Sequence, residues 1–358
     1  MQNNQAIPFN KENFEQIFSK EFALVIVISV PSAIVAEFFN VPLAWFLGPM
    51  IVTSLASLNG LKIKMPRLVL SLVLIFLGLY IGNYIDKTLF SQIQEWAWTS
   101  LIMLAYIILS VLLVSKYLQK FSQYDKKTSI FSAAPGALGP LMILAEDEKS
   151  DLSRVATSHL IRLIIIITVF PFVVDSFYNL ENITVTEKII ENQNIYNLFI
   201  LIILSIILIL IFDKLKVPAA LLAGTLVSSG FLQISEIAIY KLPPNIIDFS
   251  LLILGSSVGC RFADKSFNEI AKNALHSFVA TFMLVVLGLL AAYVAGLVID
   301  KNFFTLLLSY CPGGIYEVAV IAIFFDLDPE FVAFHHIIRL LMILFVVPII
   351  LRIIEKKT

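Results

Sequence analysis

The chain has 358 residues, 59% of them hydrophobic and only 14% charged, with a net charge of −1 and a mean hydropathy of +0.92. Soluble globular domains average about 45–50% apolar and about 25% charged residues, so this composition points to a polytopic membrane protein. Neither the near-neutral charge nor any basic patch or zinc-ligand spacing indicates a nucleic-acid partner.

In chain order, residues 1–20 form a polar tail of mixed charge with no short apolar core before a small-residue cleavage site, so no signal peptide is expected. Twelve apolar segments follow, at about 22–39, 42–59, 67–86, 96–117, 128–145, 154–178, 195–213, 218–234, 245–263, 274–299, 303–325 and 330–352. The longest connection is rich in Asn and Glu and lies at the midpoint of the chain. It divides a first membrane repeat, 21–178, from a second, 195–352, by a central loop at 179–194, and 353–358 is a C-terminal tail. Trp45, Trp96 and Trp98 fit the aromatic belts of a membrane–water interface. Cys260 and Cys311 lie in or beside apolar segments and read as reduced thiols.

The halves resemble one another at an offset of 176 to 177 residues. VPLAWFLG, Val41 to Gly48, returns as VPAALLAG, Val217 to Gly224. Gly78 and Gly82 return as Gly255 and Gly259. APGALGP, Ala134 to Pro140, returns as CPGGIYE, Cys311 to Glu317. SHLIRL, Ser158 to Leu163, returns as HHIIRL, His335 to Leu340. The paired glycines have small-xxx-small spacing and are expected to pack helices.

Twelve crossings would make the halves parallel. One re-entrant segment per half would make them inverted, with about ten spanning helices. With a cytoplasmic N-terminus, twelve crossings put 15 Lys and Arg inside and 8 outside. If 128–145 and 303–325 are re-entrant, Lys149, Arg154, Lys214, Lys216, Arg261, Lys265 and Lys272 move inside, and Lys188, Lys241 and Lys301 move outside. The count becomes 19 inside and 4 outside, which favours the inverted arrangement with both termini cytoplasmic. A broken crossing helix in each place is the alternative. Both segments carry a Pro-Gly break, which frees backbone groups and is tolerated at membrane depth only inside protein or beside a wet cavity.

Arg162 and Arg339 lie well inside their segments. His159 precedes Arg162, and His336 precedes Arg339, by three residues, which places each pair on one helical face. A central charge costs about 2.5–3.5 kcal/mol on the insertion scale and so faces the bundle interior with a partner. Glu317, in the segment before Arg339, is the expected partner, either in a structural ion pair or as part of a site. Pro140 takes its place in the first half. The candidate substrate- or ion-binding residues are therefore Glu317, Arg339, His336, Arg162, His159, Gly313, Gly314 and Gly136. Leucines at Gly313 and Gly314 are expected to abolish ligand binding, and the comparable change at Gly136 to damage it less, because its copy lacks the carboxylate. The histidines lack a matching set of carboxylates or thiolates, so no metal or cofactor is expected.

The stretch CPGGIYEVAVIAIFFDLDPEFVAFHHIIRLLMILFVVP, Cys311 to Pro348, resembles the signature of the AbrB-type duplicated membrane proteins. PGALGPLMILAEDEKSDLSRVATSHLIRL, Pro135 to Leu163, is similar to its weaker copy, and departs from the stronger pattern at Ala137 and Pro140. The resemblance covers about residues 20 to 352. It implies a bacterial inner-membrane protein, from a family that bears a label of regulation of gene expression and a loosely founded one of ammonia monooxygenase. This family is distinct from the soluble DNA-binding regulator that shares its name.

The expectation is an all-α polytopic membrane protein of two inverted repeats with two re-entrant or broken segments. It is not an enzyme. It moves a small, anionic metabolite coupled to a proton or Na⁺, with the lipid bilayer, an unknown small-molecule or ion ligand and a possible homo-oligomer as partners. The alternatives are a membrane-embedded regulator or sensor that does not transport, and a membrane oxidoreductase.

Overall fold

The computed structural model describes residues 11–85, 87, 89–136, 138–177, 194–238, 240, 242–243, 245–263, 265 and 267–355. The expected central loop at 179–194 therefore lies outside the described residues, apart from Asn194, as do residues 1–10 and 356–358 of the tails.

Among the described residues every regular element is helical. A short helix, α1 (Lys11–Glu15), precedes α2 (Lys20–Phe38), α3 (Ala44–Leu58), α4 (Arg67–Gly82) and α5 (Leu89–Ser122). Two short helices follow, α6 (Lys126–Ala133) and α7 (Leu138–Asp147), then α8 (Leu152–Phe177). The second half runs α9 (Ile195–Lys214), α10 (Ala220–Ser235), α11 (Asn245–Cys260) and α12 (Phe267–Gly296), then two short helices, α13 (Phe303–Tyr310) and α14 (Ile315–Phe324), and α15 (Pro329–Glu355). Ten of the twelve apolar segments fall on one helix each. The two with Pro-Gly breaks fall on helix pairs. Among the described residues six helices are long and apolar enough to cross a membrane, in α2, α5, α8, α9, α12 and α15. These are the features of a multi-pass membrane protein.

The breaks follow from local chemistry. Asp125 caps the start of α6 by accepting from the Thr128 N–H at 2.9 Å, and Asn302 caps α13 by accepting from the Phe304 N–H at 2.8 Å. Each helix runs eight residues, about 12 Å. Each then stops at the residue before a proline. Ala134 has φ −63° and ψ 129°, and Cys311 has φ −57° and ψ 132°. The rings of Pro135 and Pro312 disfavour the helical region at these two positions.

The chain forms two compact units that do not coincide with the sequence halves. The first comprises Met1–Phe90, Pro171–Ser266 and Ile323–Glu330, and so contains α2, α3 and α4 with α9, α10 and α11. The second comprises Ser91–Phe170, Phe267–Ala322 and Phe331–Thr358, and so contains the two broken segments with most of α5, α8, α12 and α15.

Small residues set the packing of the first unit. A Cβ on Gly78 would collide with Thr225 and the Leu222 carbonyl of α10, and one on Gly255 would collide with the Phe46 carbonyl of α3. Gly82 abuts Leu226 and Ser229, while Gly259 abuts Thr53 and Ser54. Hydroxyls tie the same helices together. Ser229 donates to the Leu79 carbonyl at 2.9 Å, and Ser57 donates to the Gly259 carbonyl at 3.0 Å. The expected role of the four glycines is the observed one, since backbones approach this closely only where no side chain intervenes.

In the second unit, Trp96 is buried rather than interfacial. Its indole packs against Phe331 and Phe334 with ring centroids 5.3 and 4.9 Å away. Period alone does not distinguish the buried face of α5 from its lipid face, where Trp98 is 61% exposed.

Candidate functional site

The site lies within the second unit and is built by the two breaks. Arg162 on α8 is 2% exposed and Arg339 on α15 is 1% exposed. Arg162 donates through Nη1 to the Ala134 carbonyl at 2.5 Å and through Nη2 to the Ser132 carbonyl at 2.5 Å. Arg339 donates through Nη1 to the Cys311 carbonyl and through Nη2 to the Gly313 carbonyl at 2.6 Å. The two histidines act alongside. His159 Nε2 donates to the Phe131 carbonyl at 3.0 Å, and His336 Nε2 donates to the Leu308 carbonyl at 2.9 Å. His336 Nδ1 then accepts from Arg339 Nη2 at 3.1 Å.

A helix leaves its last carbonyls without intrahelical donors, and a buried orphan carbonyl is costly. Here the C-terminal turns of α6 and α13, with the residues just beyond them, find donors on α8 and α15. A guanidinium is suited to this because its fork spans two acceptors. A cation at a helix C-terminus also complements the dipole.

This arrangement corrects the expected ion pair. Arg339 makes its hydrogen bonds to two backbone carbonyls and to His336, not to Glu317. The Pro-Gly break supplies the carbonyls that take both terminal nitrogens of the guanidinium. Glu317 instead lies in the first turn of α14, 1% exposed. Its carboxylate folds back so closely that a Cβ on Gly314 would collide with it. A carboxylate in a first helical turn faces the positive end of the dipole.

Arg339 also meets the other break. Its Nη2 is 2.9 Å from where a Cβ on Gly136 would sit. On the other side, a Cβ on Gly313 would sit 3.2 Å from Cγ2 of Ile166, on α8. Gly136 has φ +108°, a conformation that side chains other than glycine's rarely adopt. The φ of Gly136 and its contact with Arg339 both demand glycine for folding, a constraint separate from the expected effect of a substitution there on ligand binding.

The structure thus brings Arg162, Arg339, His159, His336, Gly136, Gly313, Gly314 and Glu317 into the same unit, on the two breaks and the helices that follow them. Each guanidinium retains one buried donor, its Nε–H, without a hydrogen-bond partner. Among the described residues no three or more His, Cys, Asp or Glu gather as a metal-ligand set.

The candidate residues named from the sequence leave out α5 and its partners. Tyr106 is buried on α5, its ring edge-on to that of Tyr310 with centroids 6.2 Å apart. Tyr310 donates its hydroxyl to the Thr99 carbonyl at 2.7 Å, and Thr99 Oγ1 lies 2.7 Å from His335 Nε2. Thr99, Tyr106 and Ser110 are spaced by seven and four residues, one face of an apolar helix. That polar stripe was the available signal.

The family described as transition state regulatory protein AbrB matches residues 2–87 and 45–355. The chain belongs to the AbrB family. An AbrB relative from Bacillus subtilis (strain 168), the uncharacterised protein YhjN, is 22% identical over 348 residues, covering 90% of this chain and 90% of its own. Another from Escherichia coli (strain K12), named as the candidate regulator AbrB, is 23% identical over 339 residues, covering 94% of this chain and 97% of its own. No solved structure matches the chain.

Proposed function

We propose that this AbrB-family protein is a transporter of a small anionic metabolite in the bacterial inner membrane, built from two inverted repeats with cytoplasmic termini. The observation that carries the reading is the meeting of two broken helices with two buried guanidiniums in one unit, each guanidinium with an unpaired Nε–H. Transporters with repeated halves place substrate at discontinuous helices, whose half-helix N-termini face anionic groups. Here α7 and α14 are such half-helices. Buried positive charge without a carboxylate on either guanidinium favours an anion as the missing partner.

Three observations support the duplication. The Arg162–Ala134 and Arg339–Cys311 bonds each span 28 residues, and so do the His159–Phe131 and His336–Leu308 bonds. The glycine contacts between α4 and α10 are matched by those between α11 and α3. Residues 45–87 also fall within both family matches. Glu317 is the group suited to carry a coupling proton, being a buried carboxylate at the break.

The test is a thermal-shift screen of purified protein against mono-, di- and tricarboxylates, phosphate and sulfate, followed by flux of any stabilising anion into vesicles. A second reading, a sensor that binds such an anion without moving it, draws on the name of the Escherichia coli relative. Stabilisation without flux is the result that favours it.

A further inference from the structure

Where helices break inside membrane transporters, freed carbonyls and half-helix C-termini commonly coordinate a coupling Na⁺. In this chain the equivalent carbonyls are occupied by side chains. Ala134 and Ser132 are taken by Arg162, and Cys311 and Gly313 by Arg339. Two further carbonyls in the last turns of α6 and α13, those of Phe131 and Leu308, accept from His159 and His336. Both guanidiniums are buried, so this donation is part of the folded core rather than a surface accident.

We propose that Arg162 and Arg339 are built-in cations, each filling at its break the place a Na⁺ would take, so that neither break binds a metal cation while its arginine is present. A guanidinium offers two donors in a fixed plane and stays charged at any working pH. It therefore neutralises the C-terminal dipoles of α6 and α13 permanently, where a metal ion would do so reversibly. Of the two coupling ions considered for the transporter, Na⁺ would then have to bind away from the arginine-held carbonyls, and proton exchange likewise lies away from the arginines. The inference concerns cation occupancy of the breaks and stands whether or not the protein transports.

The experiment compares melting temperatures of purified wild type, Arg162→Ala and Arg339→Ala in sodium and choline chloride of equal ionic strength, and with small additions of guanidinium chloride. The wild type should melt at the same temperature in sodium and in choline. Each alanine variant should melt lower, and should recover saturably with Na⁺ or with guanidinium but not with choline. Arg339→Lys, which keeps a cation in place, is the second variant in case the alanine proteins do not fold. It should be indifferent to Na⁺. Saturable stabilisation of the wild type or of Arg339→Lys by Na⁺ would overturn the proposal. So would folded alanine variants that respond to neither Na⁺ nor guanidinium. Because chloride is the common anion of the sodium and choline samples and no flux is measured, a failed transport assay leaves its outcome untouched.

Discussion

Arg339 and Gly136, 203 positions apart in the chain, meet at a distance no side chain fits, with Nη2 of the arginine 2.9 Å from the place of a glycine Cβ. The same nitrogen donates to the Gly313 carbonyl at 2.6 Å. One guanidinium thus holds its own break while touching the other, and a change at either break is expected to be felt at both.

Gly136→Ala should cost about 1–3 kcal/mol through its φ alone, with a further penalty where the methyl meets Arg339. Gly139→Ala, three residues on with nothing within 4 Å of its Cβ position, should stay within about 0.5 kcal/mol of wild type. Melting temperatures of the two purified variants check this, and equal stability would show that the conformation at Gly136 is not required.

Glu317→Gln should fold nearly as well as wild type, because no guanidinium loses its counter-charge when the carboxylate is neutralised. It should abolish any proton-coupled flux. Arg339→Ala should be far more damaging, since hydrogen bonds to a charged donor are worth about 1.5–3 kcal/mol each and two backbone carbonyls lose theirs. Thermal melts of both proteins decide the order. Equal destabilisation would restore a structural pairing of Glu317 with Arg339.

Much of this organisation is written locally. Pro135 and Pro312 end α6 and α13 at the residue before them, and the apolar runs place the remaining helices. The i, i+3 spacing of His159 with Arg162 and of His336 with Arg339 anticipates their shared face. What the arginines bind was not legible, because backbone carbonyls carry no signature in sequence. A carboxylate does, and it drew attention to Glu317. The interior position of Trp96 and the polar stripe of Thr99, Tyr106 and Ser110 depend on which side of α5 meets other helices. The grouping of three helices from each half into one unit arises from packing at the glycines of α4 and α11.

In the first unit, Gly255→Leu should destabilise by more than about 1 kcal/mol, as overpacking does, because the side chain would strike the Phe46 carbonyl. Folded Gly255→Leu protein should still respond to the stabilising anion, since none of the site residues lies in that unit. Loss of the response in folded protein would place the binding chemistry elsewhere.

The inverted arrangement predicts that single cysteines introduced between Asn182 and Gln193, with Cys260 and Cys311 replaced, label from outside intact cells. Labelling only in inside-out vesicles would reverse the assignment.

The most direct measurement of the transport account is uptake, into vesicles carrying the purified protein, of the anion that most raises its melting temperature. Wild type should show saturable uptake that an imposed proton gradient accelerates. The double variant Gly313→Leu with Gly314→Leu should insert but show none, because its side chains would strike Val318, Ile166 and Glu317 at the break. Stabilisation by the anion with no saturable uptake, or full uptake by the double variant, would contradict the account.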